Sequence, residues 1–315
     1  MMSRCTRALM TGLIDYAGLF PPARLSMQAA CEEYLRHLMS EHDWALGRFI
    51  CPVARLSEFE RSGAALMPGT AATSGYREHA AGEAWEIAAL VETTDIGGLE
   101  RALDAVDAFN RAHAREENGL AQIDVIELKA PEPAFIDAAM DVIPEDVFPF
   151  FEFPVSGDCR GFVAALAGSG AGAKVRTGGL KPEAIPAPAD VVSFLVACAD
   201  AEVPFKATAG LHHPVRSEYA LDSGPDAPRG TMHGFLNVFV TAALVRMRRV
   251  DEKLARLAME ERIAGSFRFS ETQAGWHEHS VEPAELALVR ETFALSFGSC
   301  SFEEPIGDMQ KMGLM

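Results

Sequence analysis

The sequence lacks closely spaced cysteines, long apolar runs and nucleotide-binding glycine motifs. Its six cysteines lie far apart without a CxxC pair, which argues against a zinc site and against a disulfide framework. No apolar run approaches the about 20 residues of a membrane span, and the apolar stretch near the N-terminus is interrupted by Asp15. GxGxxG after the first strand and a Walker loop are both missing. We therefore expect a cytoplasmic protein with reduced thiols, without signal peptide, membrane partner, metal or cofactor.

Basic residues are also scarce. Lysine and arginine number 28 against 45 acidic residues, a formal net charge of −17 that repels nucleic acid and anionic lipid. The densest basic run, Arg246, Arg248 and Arg249, ends a predicted helix, where cations complement the helix dipole. We therefore expect a small-molecule substrate and no nucleic-acid partner, and a homo-oligomer remains open.

Short β-branched or aromatic runs alternate with longer helical stretches along most of the chain. With 49% hydrophobic residues, the chain has the composition of a globular protein with a large core. The alternation predicts a parallel sheet with crossover helices. The predicted strands cover 10–15, 48–53, 86–91, 123–128, 148–153, 172–176, 203–208 and 266–270.

Helices are predicted between these strands. They cover 26–39, 57–66, 97–116, 132–141, 158–167, 188–200, 231–248 and a last stretch near 282–295, with Ser26 and Ser57 as N-caps. Eight strand and helix pairs favour an α/β fold, a closed (β/α)8 TIM barrel, over an open doubly wound sheet, with residues 1–315 as a single domain.

Two connections are long. Residues 67–83 follow the second helix and are predicted to form a surface loop. Residues 211–230 follow the seventh strand, on the face where barrels place their active sites. We expect this second loop to lie over the C-terminal face of the barrel as a lid or a substrate-binding loop.

Lysines end two neighbouring strands. By strand alternation Lys174 and Arg176 share one face of strand six, and Lys206 and Thr208 share one face of strand seven. Strands of a barrel are covered on both faces, so a lysine there needs a charged partner or a function. The alternative is that these lysines extend outward, toward the helices or the rim of the barrel. Neighbouring ammonium groups lower each other's pKa, which makes an amine nucleophilic.

Carboxylates complement the lysines. Asp124 and Glu127 fall in strand four, and Glu152 falls in strand five. Alternation places Asp124 and Glu127 on opposite faces, so at most one of the two belongs to a site unless a bulge intervenes, and Glu127 shares its face with Lys129. Asp15, at the end of strand one, is either catalytic or a structural anchor.

Two adjacent histidines, His212 and His213, follow strand seven directly. Adjacent residues of an extended chain point apart, so a two-histidine metal clamp is geometrically awkward. We expect one of the two to bind a substrate oxygen or to relay a proton.

Four segments together resemble the class I aldolases of the deoxyribose-phosphate aldolase type. They are LIDYAGLFPPA at 13–23, QIDV at 122–125, KVRTG at 174–178 and FKATAGLHHPVR at 205–216. The resemblance implies a Schiff base on Lys174, with Lys206 as the neighbouring cation and Asp124 as the proton shuttle. Substrate contacts are expected from the remaining polar residues of these strand ends: Asp15, Glu127, Lys129, Glu152, Arg176, Thr177, Thr208, His212 and His213.

The chain departs from this family at two places. The double glycine after the second lysine is Ala209-Gly210, and the phosphate cradle of the eighth strand is replaced by Phe269-Ser270-Glu271. A glutamate there repels phosphate, so the expected reaction is aldolase-like cleavage or formation of a carbon–carbon bond in a small carbonyl compound without a substrate phosphate. The alternatives are a metal-assisted lyase or isomerase using Glu127, Glu152 and a histidine, and a non-catalytic barrel that binds a small molecule.

Overall fold

Eight parallel strands close into a barrel. The structure is a computed structural model that describes residues 2–69 and 83–315. The order around the barrel is β1-β13-β7-β6-β5-β4-β3-β2, and β1 pairs with β2 to close it. The barrel strands are β1 (Ile14–Tyr16), β2 (Leu46–Pro52), β3 (Trp85–Val91), β4 (Ala121–Lys129), β5 (Phe148–Glu152), β6 (Gly172–Arg176), β7 (Phe205–Thr208) and β13 (Ala294–Ser299). The predicted (β/α)8 barrel is confirmed.

Helices lie between the barrel strands and cover their outer face. They are α1 (Arg4–Met10), α2 (Met27–Leu38), α3 (Leu56–Gly63), α4 (Ile96–His113), α5 (Pro133–Met140), α6 (Arg160–Leu166), α7 (Pro188–Asp200), α8 (Phe235–Arg246), α9 (Glu252–Glu260), α10 (Pro283–Thr292) and α11 (Glu303–Lys311). Ser26 caps α2 as predicted, its side chain accepting from the backbone N–H of Ala29. Ser57 is not a cap, because α3 already begins at Leu56.

Strand alternation divides the apolar residues into two cores. Outward-facing side chains such as Phe49, Phe151 and Phe205 join the helices in one large core. Inward-facing side chains form a small cluster that includes Ile50 and Phe150. Charged side chains lie next to this interior cluster, with Lys206 Nζ 5.5 Å from the centre of the Phe150 ring.

The predicted eighth strand at 266–270 is wrong. Phe267–Phe269 is β10 of a separate antiparallel sheet with β11 (Ala274–Trp276) and β12 (His279–Val281). The barrel is instead closed by Ala294–Ser299, part of which falls in the helix predicted near 282–295. The short run in β10 is half exposed, as in antiparallel sheets with one solvent face, whereas β13 is buried along most of its length.

The first strand is also shorter than predicted. It covers Ile14–Tyr16, and the residues before it form α1, which is capped by Ser3. The difference affects the start of the predicted strand at 10–15 and leaves Asp15 in the middle of β1.

The long connection after β7 carries a hairpin. Strands β8 (Ser217–Ala220) and β9 (Arg229–Met232) pair antiparallel and leave 221–228 as the tip. Residues on this hairpin, including Tyr219 and Leu221, line the cavity at the C-terminal ends of the barrel strands. The connection predicted over 67–83 falls largely outside the described residues.

One stretch of the described chain, Pro182–Asp200, has the length and composition of a membrane-crossing helix. Its greater part is α7, whose Val191, Phe194 and Leu195 are buried in the large core. The apolar composition is thus the one expected for a helix that packs on a barrel.

Candidate functional site

A cavity of about 900 Å³ opens at the C-terminal ends of the barrel strands. Its floor and walls include polar side chains from four different strands, and apolar side chains from the loops above, such as Phe20 and Leu180, complete it. The polar lining residues from the strands are Glu127, Lys129, Glu152, Lys174, Arg176 and Thr208. Active sites of barrels form at this face, so the cavity is the candidate functional site.

Charged side chains on the cavity floor alternate in sign. Lys174 Nζ lies 2.7 Å from Glu127 Oε2 and 2.9 Å from Glu152 Oε2. The other oxygen of Glu152 accepts from Arg176 Nε at 2.9 Å. Lys174 and both carboxylates are buried, whereas the Arg176 side chain is 48% exposed in the cavity. Lys174 is therefore held on both sides, and the guanidinium of Arg176 reaches into open space.

The alternation continues below the cavity. Lys206 Nζ donates to Glu127 Oε1 and, at 2.7 Å, to Asp15 Oδ2. Asp15 also accepts from Ser296 Oγ at 2.6 Å and from the backbone N–H of Arg48 at 2.8 Å. Asp15 and Lys206 are buried and do not line the cavity. Asp15 is thus a structural anchor in the barrel interior. Of its two predicted roles, catalytic or structural, the contacts favour the structural one.

The absence of a side chain at Gly47 leaves space for the carboxylate of Asp15. A Cβ atom on Gly47 would lie 2.3 Å from Asp15 Oδ1. Only glycine therefore fits at this position of β2 beside the carboxylate of β1.

The pKa values in this cluster follow from the pairing. Burial raises the pKa of Glu127, but its contacts with Lys174 and Lys206 outweigh this and lower the pKa to about 2. Burial likewise opposes the effect of the neighbouring cations on Glu152, and the pKa of that carboxyl is lowered. Burial lowers the pKa of Lys206, and Asp15 and Glu127 outweigh this, so the pKa is raised. Both carboxylates are ionised near neutral pH.

The predicted mutual repulsion of the two lysines is therefore countered. Lys174 and Lys206 lie opposite each other in the register of β6 and β7, as strand alternation requires. Glu127 contacts both ammonium groups. Glu127 was predicted as a site residue but its contact with both lysines was not, and this shared carboxylate compensates their charge.

Asp124 lies away from the cavity, which corrects its assignment as the proton shuttle. Its carboxylate pairs with Arg48, whose Nε donates at 2.8 Å. The register between β3 and β4 shifts there, since Ile87 pairs with Ile123 and Ala88 with Val125. This irregularity places Asp124 between two paired residues, a change that strand alternation alone does not predict.

Thr177 likewise does not line the cavity. Its buried hydroxyl donates to the backbone carbonyl of Ala209 at 2.6 Å. Ala209 has a φ of 62°, a left-handed conformation that glycine favours. Beside it, Gly178 and Gly210 approach so closely that a Cβ on Gly178 would lie 2.8 Å from the Cα of Gly210. Thr177 thus stabilises the strained turn at the end of β7, and its predicted contact with the substrate is wrong.

The two histidines both line the cavity and both bind α11. His212 Nδ1 lies 3.1 Å from Glu304 Oε2, and His213 Nδ1 lies 2.7 Å from Asp308 Oδ2. Burial lowers the pKa of His212, and its contacts with Cys300 and Glu304 outweigh this and raise it to about 9. His212 is therefore an imidazolium near neutral pH, held at the cavity wall.

Several cavity residues were missed from the sequence. Cys300 follows β13, and its Sγ lies 3.9 Å from both ring nitrogens of His212. Glu304, one helical turn from Asp308, belongs to the last helix, for which no site was predicted. The run GSCSFEE at 298–304 was the available signal, and it was not connected to the site because Ala294–Ser299 was not predicted as a barrel strand.

A salt bridge joins two loops over the cavity. The guanidinium of Arg24, in the loop after β1, donates to Asp222 Oδ1 at 2.8 Å and to Oδ2 at 2.9 Å. Asp222 lies at the tip of the β8–β9 hairpin and lines the cavity. The hairpin that follows β7 is thus fastened to the loop that follows β1, two strands away around the barrel.

Within residues 2–69 and 83–315 no three His, Cys, Asp or Glu side chains form a set that could hold a metal ion. Comparison with known proteins found no matching family model, no matching curated protein and no matching solved structure. The fold and the cavity define the chain as a (β/α)8 barrel with a lysine between two glutamates in its mouth.

Proposed function

We propose that the protein is an aldolase-like lyase in which Lys174 forms a Schiff base with a small carbonyl compound. The single observation that carries the proposal is the position of Lys174 Nζ on the floor of the cavity, 2.7 Å and 2.9 Å from two carboxylate oxygens. A buried amine aimed into a cavity of this size is the arrangement that imine chemistry needs.

The position of the second lysine supports Lys174 as the nucleophile. Lys206 is 1% exposed, lies below the cavity and is held by Asp15 and Glu127. Its raised pKa keeps it an ammonium, so it serves as a fixed positive charge beside Glu127.

The first step is a proton transfer. Lys174 must lose one proton before its nitrogen attacks a carbonyl carbon, and Glu152 is the better acceptor because it is more exposed than Glu127, which is tied to both lysines. The amine adds to the carbonyl carbon, the oxygen takes up one proton from the nitrogen and one from Glu152 and leaves as water, and an iminium remains.

Carbon–carbon cleavage then follows from the iminium. Removal of the proton from a hydroxyl at the β-carbon lets the Cα–Cβ bond break, releasing an aldehyde and leaving an enamine on Lys174. Protonation of the enamine and hydrolysis return the free amine and the second product. Glu152 and His212 border the cavity and replace Asp124, which pairs with Arg48, in proton transfer. The carboxylate of Glu152 acts as the base, and the imidazolium of His212 acts as the acid.

A non-catalytic binding barrel is the second candidate. The observation that favours it is that both lysines are doubly ion-paired, which stabilises the ammonium form and opposes imine formation. The metal-assisted alternative has less support, because the ammonium of Lys174 lies between the two glutamates that would bind the ion.

Borohydride trapping tests the proposal. The protein is incubated with a panel of small aldehydes and ketones, reduced and digested, and the adduct is located by mass spectrometry. We expect reduced adducts on Lys174, none in Lys174→Ala, and retention of trapping in a variant of a surface lysine, Lys253→Ala.

The Lys206→Ala variant separates the roles of the two lysines. We expect weaker trapping at Lys174 in that variant, because Glu127 loses one partner and binds Lys174 more strongly. No adduct in the unmodified protein with any carbonyl compound would favour the binding barrel, and an adduct on Lys206 would contradict the assignment.

A further inference from the structure

We infer that the cavity takes a substrate with a carboxylate group, an oxo acid, and that Arg176 binds this carboxylate. The inference rests on the proposed function for the carbonyl and adds the chemical class of the rest of the substrate. It starts from Arg176 on the cavity floor, whose guanidinium is partly paired within the protein and partly exposed.

Only one edge of the Arg176 guanidinium is occupied. Its Nε donates to Glu152 Oε1 at 2.9 Å, and among the described residues neither terminal nitrogen has a hydrogen-bond or ion-pair partner. The side chain is 48% exposed and lines the cavity. The two terminal NH2 groups are therefore free to bind a ligand in the cavity. Parallel N–H bonds from these two groups bind a carboxylate through both of its oxygens.

The spacing along β6 relates this guanidinium to the reactive amine. Lys174 and Arg176 are two residues apart on the same face of one strand, and both contact Glu152. Residues at this spacing have Cα atoms roughly 6.5 Å apart along the strand, and the two head groups meet at one carboxylate, with Lys174 Nζ at Oε2 and Arg176 Nε at Oε1 of Glu152. A short oxo acid therefore has its carbonyl carbon within reach of Lys174 and its carboxylate within reach of Arg176.

The row of paired charges that ends at Arg176 is balanced without a ligand. The chain Asp15, Lys206, Glu127, Lys174, Glu152 and Arg176 contains three negative and three positive groups and is neutral without a ligand. Lys129, next to Glu152 in the register of β4 and β5, adds a positive charge to the lining without a carboxylate partner among the described residues.

The same lining favours a monoanion over a phosphate. Glu92 and Glu304 border the cavity with Glu127 and Glu152, and Glu92 has no basic partner among the described residues. These carboxylates repel a dianion about twice as strongly as a carboxylate of the substrate. A single carboxylate therefore fits the guanidinium better than a phosphate ester does.

Ligands without a ketone or aldehyde group test the inference independently of imine formation. Binding of 3-hydroxybutyrate, its uncharged amide and ethyl phosphate, which has no carboxylate, is measured by calorimetry or by NMR titration at fixed salt. We expect the carboxylate to bind at least about tenfold more tightly than the amide. Arg176→Gln should reduce this preference to less than about threefold, and Arg160→Gln, a surface arginine that pairs with Asp158, should leave it unchanged.

The outcomes separate the inference from the proposed function. A preference for the carboxylate that survives in Arg176→Gln, or tighter binding of ethyl phosphate than of 3-hydroxybutyrate, would overturn the inference. If the preference depends on Arg176 and no oxo acid is trapped by borohydride, the carboxylate site stands and the Schiff-base proposal fails. If neutral ketones are trapped as readily as pyruvate, Lys174 is reactive and the inference of an oxo acid is wrong.

Discussion

Lys174 and Lys206 lie opposite each other on neighbouring strands, and a single carboxylate, that of Glu127, is bound to both ammonium groups. The barrel therefore contains a compensated row of charges where two unpaired lysines would repel each other. This compensation connects the stability of the fold with the state of the candidate nucleophile, because any change in Glu127 affects both.

Replacing Glu127 by glutamine should destabilise the protein strongly. The substitution leaves two buried ammonium groups without their shared counter-charge, a loss for which about 3–5 kcal/mol is typical. The measurement is the free energy of unfolding in denaturant. Glu218→Gln is the control, because Glu218 pairs with Arg229 at the surface and should cost at most about 1 kcal/mol. Equal effects of the two substitutions would contradict the described pairing.

Stability should fall between about pH 6.5 and pH 9 because of His212. Its pKa is raised in the folded protein to about 9, so its contribution is fully present below the ordinary value of 6.5 and is lost as the pH rises through 9. Because Glu304 is half exposed and solvent screens its charge, we expect His212 to contribute about 1–2 kcal/mol to the free energy of unfolding. Unfolding free energies at pH 6.5, 8 and 9.5 should show this decrease in the unmodified protein.

The decrease should be smaller in His212→Gln and in Glu304→Gln. His277→Gln, which removes a surface histidine outside the cavity, should retain it. A decrease that is unchanged in His212→Gln would show that another group titrates.

Removing Arg24 should loosen the hairpin over the cavity. Arg24→Ala breaks the bidentate pair with Asp222, and because both side chains are partly exposed the loss of global stability should not exceed about 1 kcal/mol. Amide hydrogen exchange over 217–232 should become faster while exchange in the barrel strands is unchanged. Arg55→Ala, which breaks a similar pair with Glu58 on α3, serves as the control. Unchanged exchange of the hairpin would mean that the salt bridge does not fasten it.

Ala209→Gly should not cost stability, in contrast to Ala207→Gly two residues earlier. Ala209 has a φ of 62°, so glycine relieves about 1 kcal/mol of strain and offsets the greater entropy of the unfolded chain. Ala207 is buried in β7, where glycine should cost about 1 kcal/mol or more. Thermal or denaturant unfolding of both variants measures the difference, and a loss at Ala209 as large as that at Ala207 would contradict the strain.

Local periodicity in the sequence was sufficient to predict the class of fold. The alternation of strands and helices predicted the closed barrel, and the period of two along β6 and β7 placed Lys174 with Arg176 and Lys206 with Thr208. Both are properties of a short segment, because the direction of a side chain in a strand depends only on its parity.

Properties that depend on pairing between distant segments were decided only by the tertiary structure. Closure of the barrel selected Ala294–Ser299 over 266–270 as its last strand, and the register shift in β4 directed Asp124 to Arg48. Closure also brought Asp15, Glu127 and Lys206 from three distant strands into contact. Each outcome depends on which strand lies beside which, and that is set by the burial of the whole core rather than by the residues of one segment.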